Sequence, residues 1–273
     1  TFEKREGYCT DIFTDHALNF IEAHQHEPFF VALPTNAPHT PIEVDPAWTK
    51  RYTDQGLDDA LAGMYAMIEN IDMNVGRVMQ QLNNLGLSEN TILIFSSDHG
   101  PQFGGGAPER FNAGLRAHKG TIYQGGLRVP CFWRWPGQFQ ADRAIERVTH
   151  PIDVMPTLLE AAGAPLPSDR TIDGQSLLPM LTGEVAATDT TRYPERYVHL
   201  QWHRGDEPVR YRNFAVIGER YKLCQPHDGA RPELYDLASD PGEQRDLAGE
   251  QPELAEAMRQ AYDAWFEEVS ATR

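Results

Sequence analysis

The sequence predicts an α/β protein. We expect a mostly parallel or mixed sheet flanked by helices, then a small α+β subdomain of antiparallel strands and a terminal helix. Three observations carry this prediction. Two apolar, strand-like runs flank a long helical pattern, short strand-like runs separated by turns follow residue 192, and another helical stripe ends the chain. The main α/β part is predicted over residues 1–191 and the subdomain over residues 192–273.

The beginning of the chain reads as a helix, a strand and a stiff loop. Asp11–His24 carries apolar residues at helical spacing, with Thr10 or Asp11 as the candidate N-cap. The continuous apolar run Phe29–Leu33 predicts a buried strand. Three prolines among the next eight residues exclude a helix and stiffen a loop, and this loop carries His39.

The middle of the chain repeats the order of helix and strand. Leu57–Leu85 is the longest helical pattern, and Gly86 is placed as the residue that ends it. Thr91–Ser97 is a short apolar, β-branched run, which is typical of a strand buried on both faces. Strand, helix and strand in this order predict a crossover in a mostly parallel sheet.

The later elements are shorter. Leu127–Trp135 predicts another strand and Ile152–Ala162 a short helix, and Pro165–Thr191 is loop-rich. Pro252–Val269 has the apolar stripe of a closing helix. Turn signals separate four strand-like runs that predict an antiparallel meander: Tyr197–Trp202, Asn213–Ile217, Tyr221–Cys224 and Glu233–Leu237.

Composition limits the classes of function. The 273 residues are 40% hydrophobic, which suffices for one large domain, or for one domain with an appended smaller one. A formal net charge of −16 argues against generic nucleic-acid binding, so any anion site must be locally positive. No apolar run approaches the roughly 20 residues of a membrane span. Three cysteines without metal-type spacing predict isolated thiols.

The candidate site follows the Thr91–Ser97 strand. In open α/β sheets ligands bind at the carboxyl ends of strands, and Asp98-His99-Gly100 stands at such an end. Asp98 offers oxygen ligands for a divalent cation, His99 offers a nitrogen ligand or a bond to substrate, and glycine permits the turn. Further on, Lys119-Gly120 and Gly125-Gly126 add a cation and a flexible backbone. Taken alone, these features also suit an acidic turn and a solvated lysine.

Five stretches, in order, give these residues a context. They are FFVALPTNAPHTP, ENTILIFSSDHG, LRAHKGTIYQGGLRVP, THPIDVMPTLLEAAG and ELYDLASDPGEQRDLA. They resemble signatures of the sulfatase family, the formylglycine-dependent sulfate ester hydrolases of the alkaline phosphatase superfamily. The second is similar to the family's ENTIVIFTSDNG strand and the third to its LRGxKGTxYEGGxRVP segment. The resemblance spans essentially the whole chain and implies an alkaline phosphatase-like fold.

The resemblance implies roles for individual residues. Asp98 corresponds to a metal-ligand aspartate, usually of calcium, and His99 stands beside it as a second candidate ligand. Lys119 corresponds to the lysine that contacts the sulfate group, and His39 to an active-site histidine near the sulfate and the leaving oxygen. His203 follows a strand of the C-terminal subdomain, which in the family can contribute to the substrate pocket. His203 is therefore a candidate substrate-binding residue, with an exposed loop residue as the equal alternative.

Three departures from the family pattern bear on function. The family usually has Asn where this chain has His99, although phosphonate monoester hydrolases and iduronate-type sulfatases carry histidine. Nitrogen suits calcium poorly, so a softer divalent ion is the alternative. Gln124 replaces a common glutamate, and we expect a structural position there. No cysteine or serine lies in the C/S-x-P-x-R motif that yields the formylglycine nucleophile, and the acidic pair of the family's first strand has no counterpart.

From these absences we expect the chain to be the C-terminal part of a longer sulfatase. Residues 1–191 would then be the C-terminal part of the catalytic domain, and the missing N-terminal half would supply the formylglycine. The fragment alone is predicted to be inactive. A sheet without its central strands would expose apolar residues and would not be stable alone.

The predicted function is metal-dependent hydrolysis of a sulfate ester on a carbohydrate or aryl substrate. Hydrolysis of phosphonate or phosphate monoesters on the same scaffold is the alternative that His99 favours. A non-catalytic sulfatase-like module is a third possibility, against which the joint presence of Asp98, Lys119 and His39 argues. The expected partners are a small-molecule or glycan sulfate ester and the missing N-terminal half. A periplasmic or secreted location is an expectation from the family.

Overall fold

The computed structural model describes residues 5–203 and 205–271, and the chain divides into two compact units. Unit 1 comprises Thr1–Ile94, Gln102–Phe111 and Trp133–Pro136, and unit 2 comprises Phe95–Pro101, Asn112–Phe132 and Gly137–Arg273. The predicted domains, residues 1–191 and 192–273, are continuous ranges of sequence, whereas each compact unit combines several segments. The domain division stays a prediction.

The elements follow one another in chain order. The α-helices of the described residues are α1 (Cys9–Ala23), α2 (Pro46–Thr53), α3 (Asp59–Asn84), α4 (Gln124–Leu127), α5 (Val154–Ala161), α6 (Leu178–Thr182) and α7 (Pro252–Ala271). The strands are β1 (Leu93–Ser96), β2 (Cys131–Arg134), β3 (Val198–Gln201), β4 (Phe214–Ile217), β5 (Tyr221–Gln225) and β6 (Glu233–Asp236). β1 and β2 form a two-stranded sheet, and β3 to β6 form a four-stranded sheet in sequential order.

Unit 1 is built around α3, which confirms the longest predicted helix. The Asp58 side chain caps its start by accepting the Leu61 N–H at 2.9 Å, and Gly86 follows its end with φ of 70°. The predicted cap of α1 at Thr10 or Asp11 is wrong, since Tyr8 is the N-cap and its side chain makes no capping hydrogen bond. The Asp11 carboxylate is engaged elsewhere, because it accepts hydrogen bonds from two asparagine side chains of α3, those of Asn70 and Asn74.

Two strand predictions fail in detail. The run Phe29–Leu33 forms no strand in the described chain, and Phe30 is 76% exposed. A strand needs a neighbour for its ladder of hydrogen bonds, and apolar composition alone does not provide one. β1 is shorter than predicted and not buried on both faces, because Phe95 is 37% exposed. Its ring stacks on that of Phe132 in β2, which is 65% exposed.

Unit 2 contains the predicted antiparallel meander and the closing helix. All three strand pairs of β3-β4-β5-β6 are antiparallel, with Phe214 opposite Gln225 and Tyr221 opposite Asp236. One face of this sheet packs against α7. The rings of Phe214 and Tyr262 stack at 3.9 Å, and the buried core of this face is completed by Val216, Leu223, Leu234, Met258 and Phe266.

The opposite face of the four-stranded sheet packs against the segment before α4. Ile122 and Tyr123 form a buried cluster with Ala215, Cys224 and Tyr235. Strand residues alternate between the two faces, so β4, β5 and β6 each contribute to both cores. The segment that carries Lys119 therefore packs against the four-stranded sheet. Burial on this face raises the pKa of the Cys224 thiol to about 12, and all three cysteines are free, as predicted.

Within the described part of the chain, no helix has the length and apolar character that crossing a membrane requires.

Candidate functional site

The Asp98-His99 turn lies directly after β1. The Asp98 side chain is 81% exposed, and its Oδ2 lies 3.1 Å from His99 Nε2. Its Oδ1 accepts the His99 backbone N–H at 3.0 Å, which fixes the carboxylate beside the imidazole. Adjacent side chains of a strand point to opposite faces, so this approach is possible only because the strand has ended. The turn thus presents an oxygen and a nitrogen together at the surface of unit 2.

The tautomer of His99 follows from its partners. Nδ1 lies 2.8 Å from the carbonyl oxygen of Gly100 and must carry the hydrogen, because a carbonyl can only accept. In the neutral imidazole Nε2 is then a lone-pair atom next to the Asp98 carboxylate. Two acceptors at this distance repel each other unless a proton or a cation lies between them. Since ligand bonds to divalent cations are about 2.0–2.6 Å long, both atoms can reach one ion.

This pair offers one oxygen and one nitrogen, which are two possible ligands of a cation. Within residues 5–203 and 205–271, no group of three or more His, Cys, Asp or Glu side chains is placed to hold a metal ion. The donor set of Asp98 and His99 fits a divalent cation as part of its shell. One oxygen and one nitrogen do not distinguish calcium from a softer ion.

Gly100 locks this turn against the glycine pair that follows Lys119. Its backbone N–H donates to the Gly126 carbonyl at 3.0 Å. A Cβ added at Gly100 would lie 1.9 Å from the Gly125 carbonyl oxygen, so only glycine permits this approach. The two glycine-containing motifs of the sequence are therefore in direct contact.

Lys119 belongs to the same assembly. Its backbone N–H donates to the Pro101 carbonyl at 2.9 Å, three residues beyond Asp98, and the residue is half-buried. Thr121 Oγ1 donates to the His118 carbonyl at 2.7 Å and closes the turn around Lys119. The structure thus joins the lysine segment to the Asp98-His99 turn through backbone contacts.

Arg116 attaches the lysine segment to the four-stranded sheet, and the sequence analysis did not single it out. Its guanidinium carbon lies 3.8 Å from the Tyr123 ring centre, and Nη1 donates to Tyr235 Oη at 2.6 Å. Burial, together with a hydrogen bond to Glu233, raises the pKa of both tyrosines. Both phenols therefore stay protonated and donate to Glu233 Oε2, at 2.9 and 2.6 Å. In the sequence, Arg116 could have been noticed because it stands in the Leu-Arg pair that opens the LRAHKG stretch.

Two further candidate histidines, His39 and His203, lie outside these two turns. His39 is exposed on its loop in unit 1, with Nδ1 2.7 Å from the Thr40 carbonyl and its backbone N–H donating to Asn36 at 3.0 Å. His203 follows β3 in unit 2, and its buried Nδ1 has no hydrogen-bond partner among the described residues. A buried nitrogen without a partner is unfavourable, which suits a residue that binds a ligand group. The assignments of both histidines stay predictions.

Comparison with known proteins decides the family. A model described as "Sulfatase" matches residues 1–164, more than half of the chain, and one described as "N-sulphoglucosamine sulphohydrolase, C-terminal" matches residues 117–267. The chain belongs to the sulfatase family. This confirms the predicted resemblance. The two matched ranges of the sulfatase chain overlap in the segment that contains Lys119.

Among curated relatives, mouse steryl-sulfatase is 34% identical over 284 residues, which cover 94% of the sulfatase chain and 43% of the relative. N-acetylgalactosamine-6-O-sulfatase of Bacteroides thetaiotaomicron is 28% identical over 277 residues, covering 93% and 50%. The chain therefore spans about half the length of the curated relatives it matches. The crystal structure of Ps i-CgsB superposes with a TM-score of 0.84 at 24% identity, covering 96% of this chain and 56% of that one. The similarity confirms the α/β, alkaline phosphatase-like fold.

Proposed function

We propose that this sulfatase chain supplies the cation ligands and the sulfate-binding lysine for hydrolysis of a sulfate ester. The observation that carries the proposal is the bond from the Lys119 backbone to Pro101, which joins the lysine turn to the Asp98-His99 turn. A site for a sulfate ester needs positive charge around the sulfate oxygens, and the chain as a whole is strongly acidic. A lysine held next to a cation site provides that charge locally.

Each of the candidate residues of this chain would have its own role in the reaction. The Lys119 ammonium would hold the sulfate oxygens and stabilise the charge that develops as the S–O bond breaks. Asp98 and His99 would hold a divalent cation, with calcium as the family expectation. Such a cation acts as a Lewis acid and orients the ester. His39 would protonate the leaving oxygen as a general acid, a role that rests on the family resemblance alone.

The nucleophile is the part that these 273 residues do not contain, since no C/S-x-P-x-R motif occurs in them. We place the formylglycine in a segment outside this sequence, and the relatives' roughly twofold greater length supports this placement. The relatives are named for sterol, aryl and amino-sugar sulfates. A carbohydrate or aryl sulfate is the substrate we propose. A periplasmic or secreted location is proposed from the family alone.

Turnover of matched esters by the full-length protein tests this function. We expect kcat/KM for 4-nitrophenyl sulfate to exceed that for the corresponding aryl phosphonate, and Asp98→Asn to lower it by about 10²-fold because a cation ligand loses its charge. The alternative function is hydrolysis of phosphonate or phosphate monoesters, which the presence of His99 favours. Faster turnover of the phosphonate than of the sulfate would establish that alternative. A full-length protein that hydrolyses neither ester would indicate a non-catalytic module.

A further inference from the structure

A fully buried ion pair lies on the sheet face that carries the lysine segment. Lys222 of β5 and Glu243 are both without solvent exposure of their side chains, and Nζ lies 2.5 Å from Oε1. Removing two charges from water costs free energy, and a buried ion pair often stabilises a fold no more than a hydrophobic pair of the same volume. Stability alone therefore does not account for this pair.

The second carboxylate oxygen of Glu243 has a specific partner. Oε2 accepts the backbone N–H of Gln124, the first residue of α4, at 2.6 Å. Glu243 adopts φ of 54°, a left-handed conformation that is unfavourable for a residue with a side chain. Strain of this kind persists where the surrounding structure requires one particular position. Here that position aims a carboxylate at one peptide N–H.

The peptide that Glu243 holds contacts both halves of the candidate site. The next residue, Gly125, donates its N–H to the Arg116 carbonyl at 2.8 Å, and the Gly126 carbonyl accepts from Gly100 at 3.0 Å. Added Cβ atoms at Gly125 and Gly126 would lie 2.3 to 2.6 Å from carbonyl oxygens of the lysine segment. Residues 124–126 therefore contact both Gly100, at the end of the Asp98-His99 turn, and the lysine segment, with no room for a Cβ at Gly125 or Gly126.

We propose that Lys222 and Glu243 are positioning residues, which set the distance between the Lys119 turn and the Asp98-His99 turn by holding the Gln124 peptide. Lys222 neutralises and orients the carboxylate, and Glu243 transmits that position through one hydrogen bond. The inference rests on the proposed function for its catalytic consequence. Its structural part stands independently of that function.

Two matched double variants of the full-length protein test the inference. Both replace the ion pair by a neutral pair of similar volume. Lys222→Gln/Glu243→Gln keeps an acceptor for the Gln124 N–H, whereas Lys222→Met/Glu243→Leu removes it. Glu250→Gln serves as the control, because it removes an exposed carboxylate that pairs with Arg245. The readouts are amide hydrogen exchange at residues 119 and 124–126, together with kcat and KM for an aryl sulfate.

We expect the Gln/Gln variant and the control to retain amide protection and kcat. The Met/Leu variant should exchange about tenfold faster at these amides and lose roughly 10²-fold in kcat with little change in KM, because misplacement of about 1 Å can cost that much. Equal protection in both double variants would overturn the inference. Loss of kcat in the Lys222→Gln/Glu243→Gln variant, with the protection of these amides unchanged, would also overturn it. This second test remains decisive even if the Lys222→Met/Glu243→Leu variant does not fold. A wild-type protein inactive on sulfate esters would refute the function, while the exchange data would still decide the positioning role.

Discussion

Replacing Lys119 with Ala in the full-length protein is expected to lower kcat for an aryl sulfate by about 10²–10³-fold, the usual cost of removing one preorganised charge-stabilising group. The sulfate oxygens would lose the ammonium of a residue whose backbone N–H is bonded to Pro101, close in sequence to the Asp98-His99 turn. Lys119→Arg keeps the charge but alters the geometry of its donors, and we expect it to recover part of the rate.

Lys50→Ala is the matched control for this substitution. Lys50 is an exposed lysine in an i,i+4 pair with Asp54, remote in sequence from the candidate site. Its loss should leave kcat unchanged and stability within about 0.5 kcal/mol. A Lys119→Ala protein that folds normally and keeps the wild-type kcat would remove Lys119 from the site and contradict the proposed function.

The second large effect is expected at Gly100. A Cβ there would meet the Gly125 carbonyl oxygen at 1.9 Å and its carbon at 2.8 Å, and both are backbone atoms that cannot rotate away. Gly100→Ala should therefore destabilise the protein by about 2 kcal/mol or more and lower Tm by roughly 5 °C. Because the clash separates the two turns of the site, we also expect kcat to fall by at least about tenfold in the surviving folded protein.

Gly76→Ala provides the opposite control. Gly76 lies within α3, and no atom lies within 4 Å of the Cβ that the substitution adds. Alanine is the better helix former, so stability should rise by about 1 kcal/mol. Thermal unfolding of the two variants beside the wild type is the measurement. An unchanged Tm for Gly100→Ala would show that the close packing of the two turns is not needed.

Elements with a strong internal pattern could be predicted from the sequence. α3 and α7 were predicted to within two residues at each end because their apolar stripes repeat at helical spacing. The four strands of the meander were also predicted, since turn residues bound each one. Phe29–Leu33 has the composition of a strand, but a strand depends on a neighbour that composition does not specify.

The site shows the same division. Asp98, His99 and Lys119 could be proposed because they stand at a strand end and in recognisable motifs. The contribution of Lys222 and Glu243 could not, because the two residues are 21 positions apart and meet only through the sheet and a left-handed turn. Glu243 lies within the quoted ELYDLASDPGEQRDLA stretch, yet nothing in that stretch indicates what its carboxylate accepts.

The central claim is that the Asp98-His99 turn and the Lys119 turn form a single site for a cation and a sulfate group. A crystal structure of the full-length protein grown with calcium chloride and soaked with an aryl sulfate tests it most directly. We predict a cation on the carboxylate of Asp98 and the sulfate oxygens within hydrogen-bond distance of Lys119 Nζ. A cation or sulfate group bound elsewhere, or a site without either at saturating concentrations, would contradict the claim.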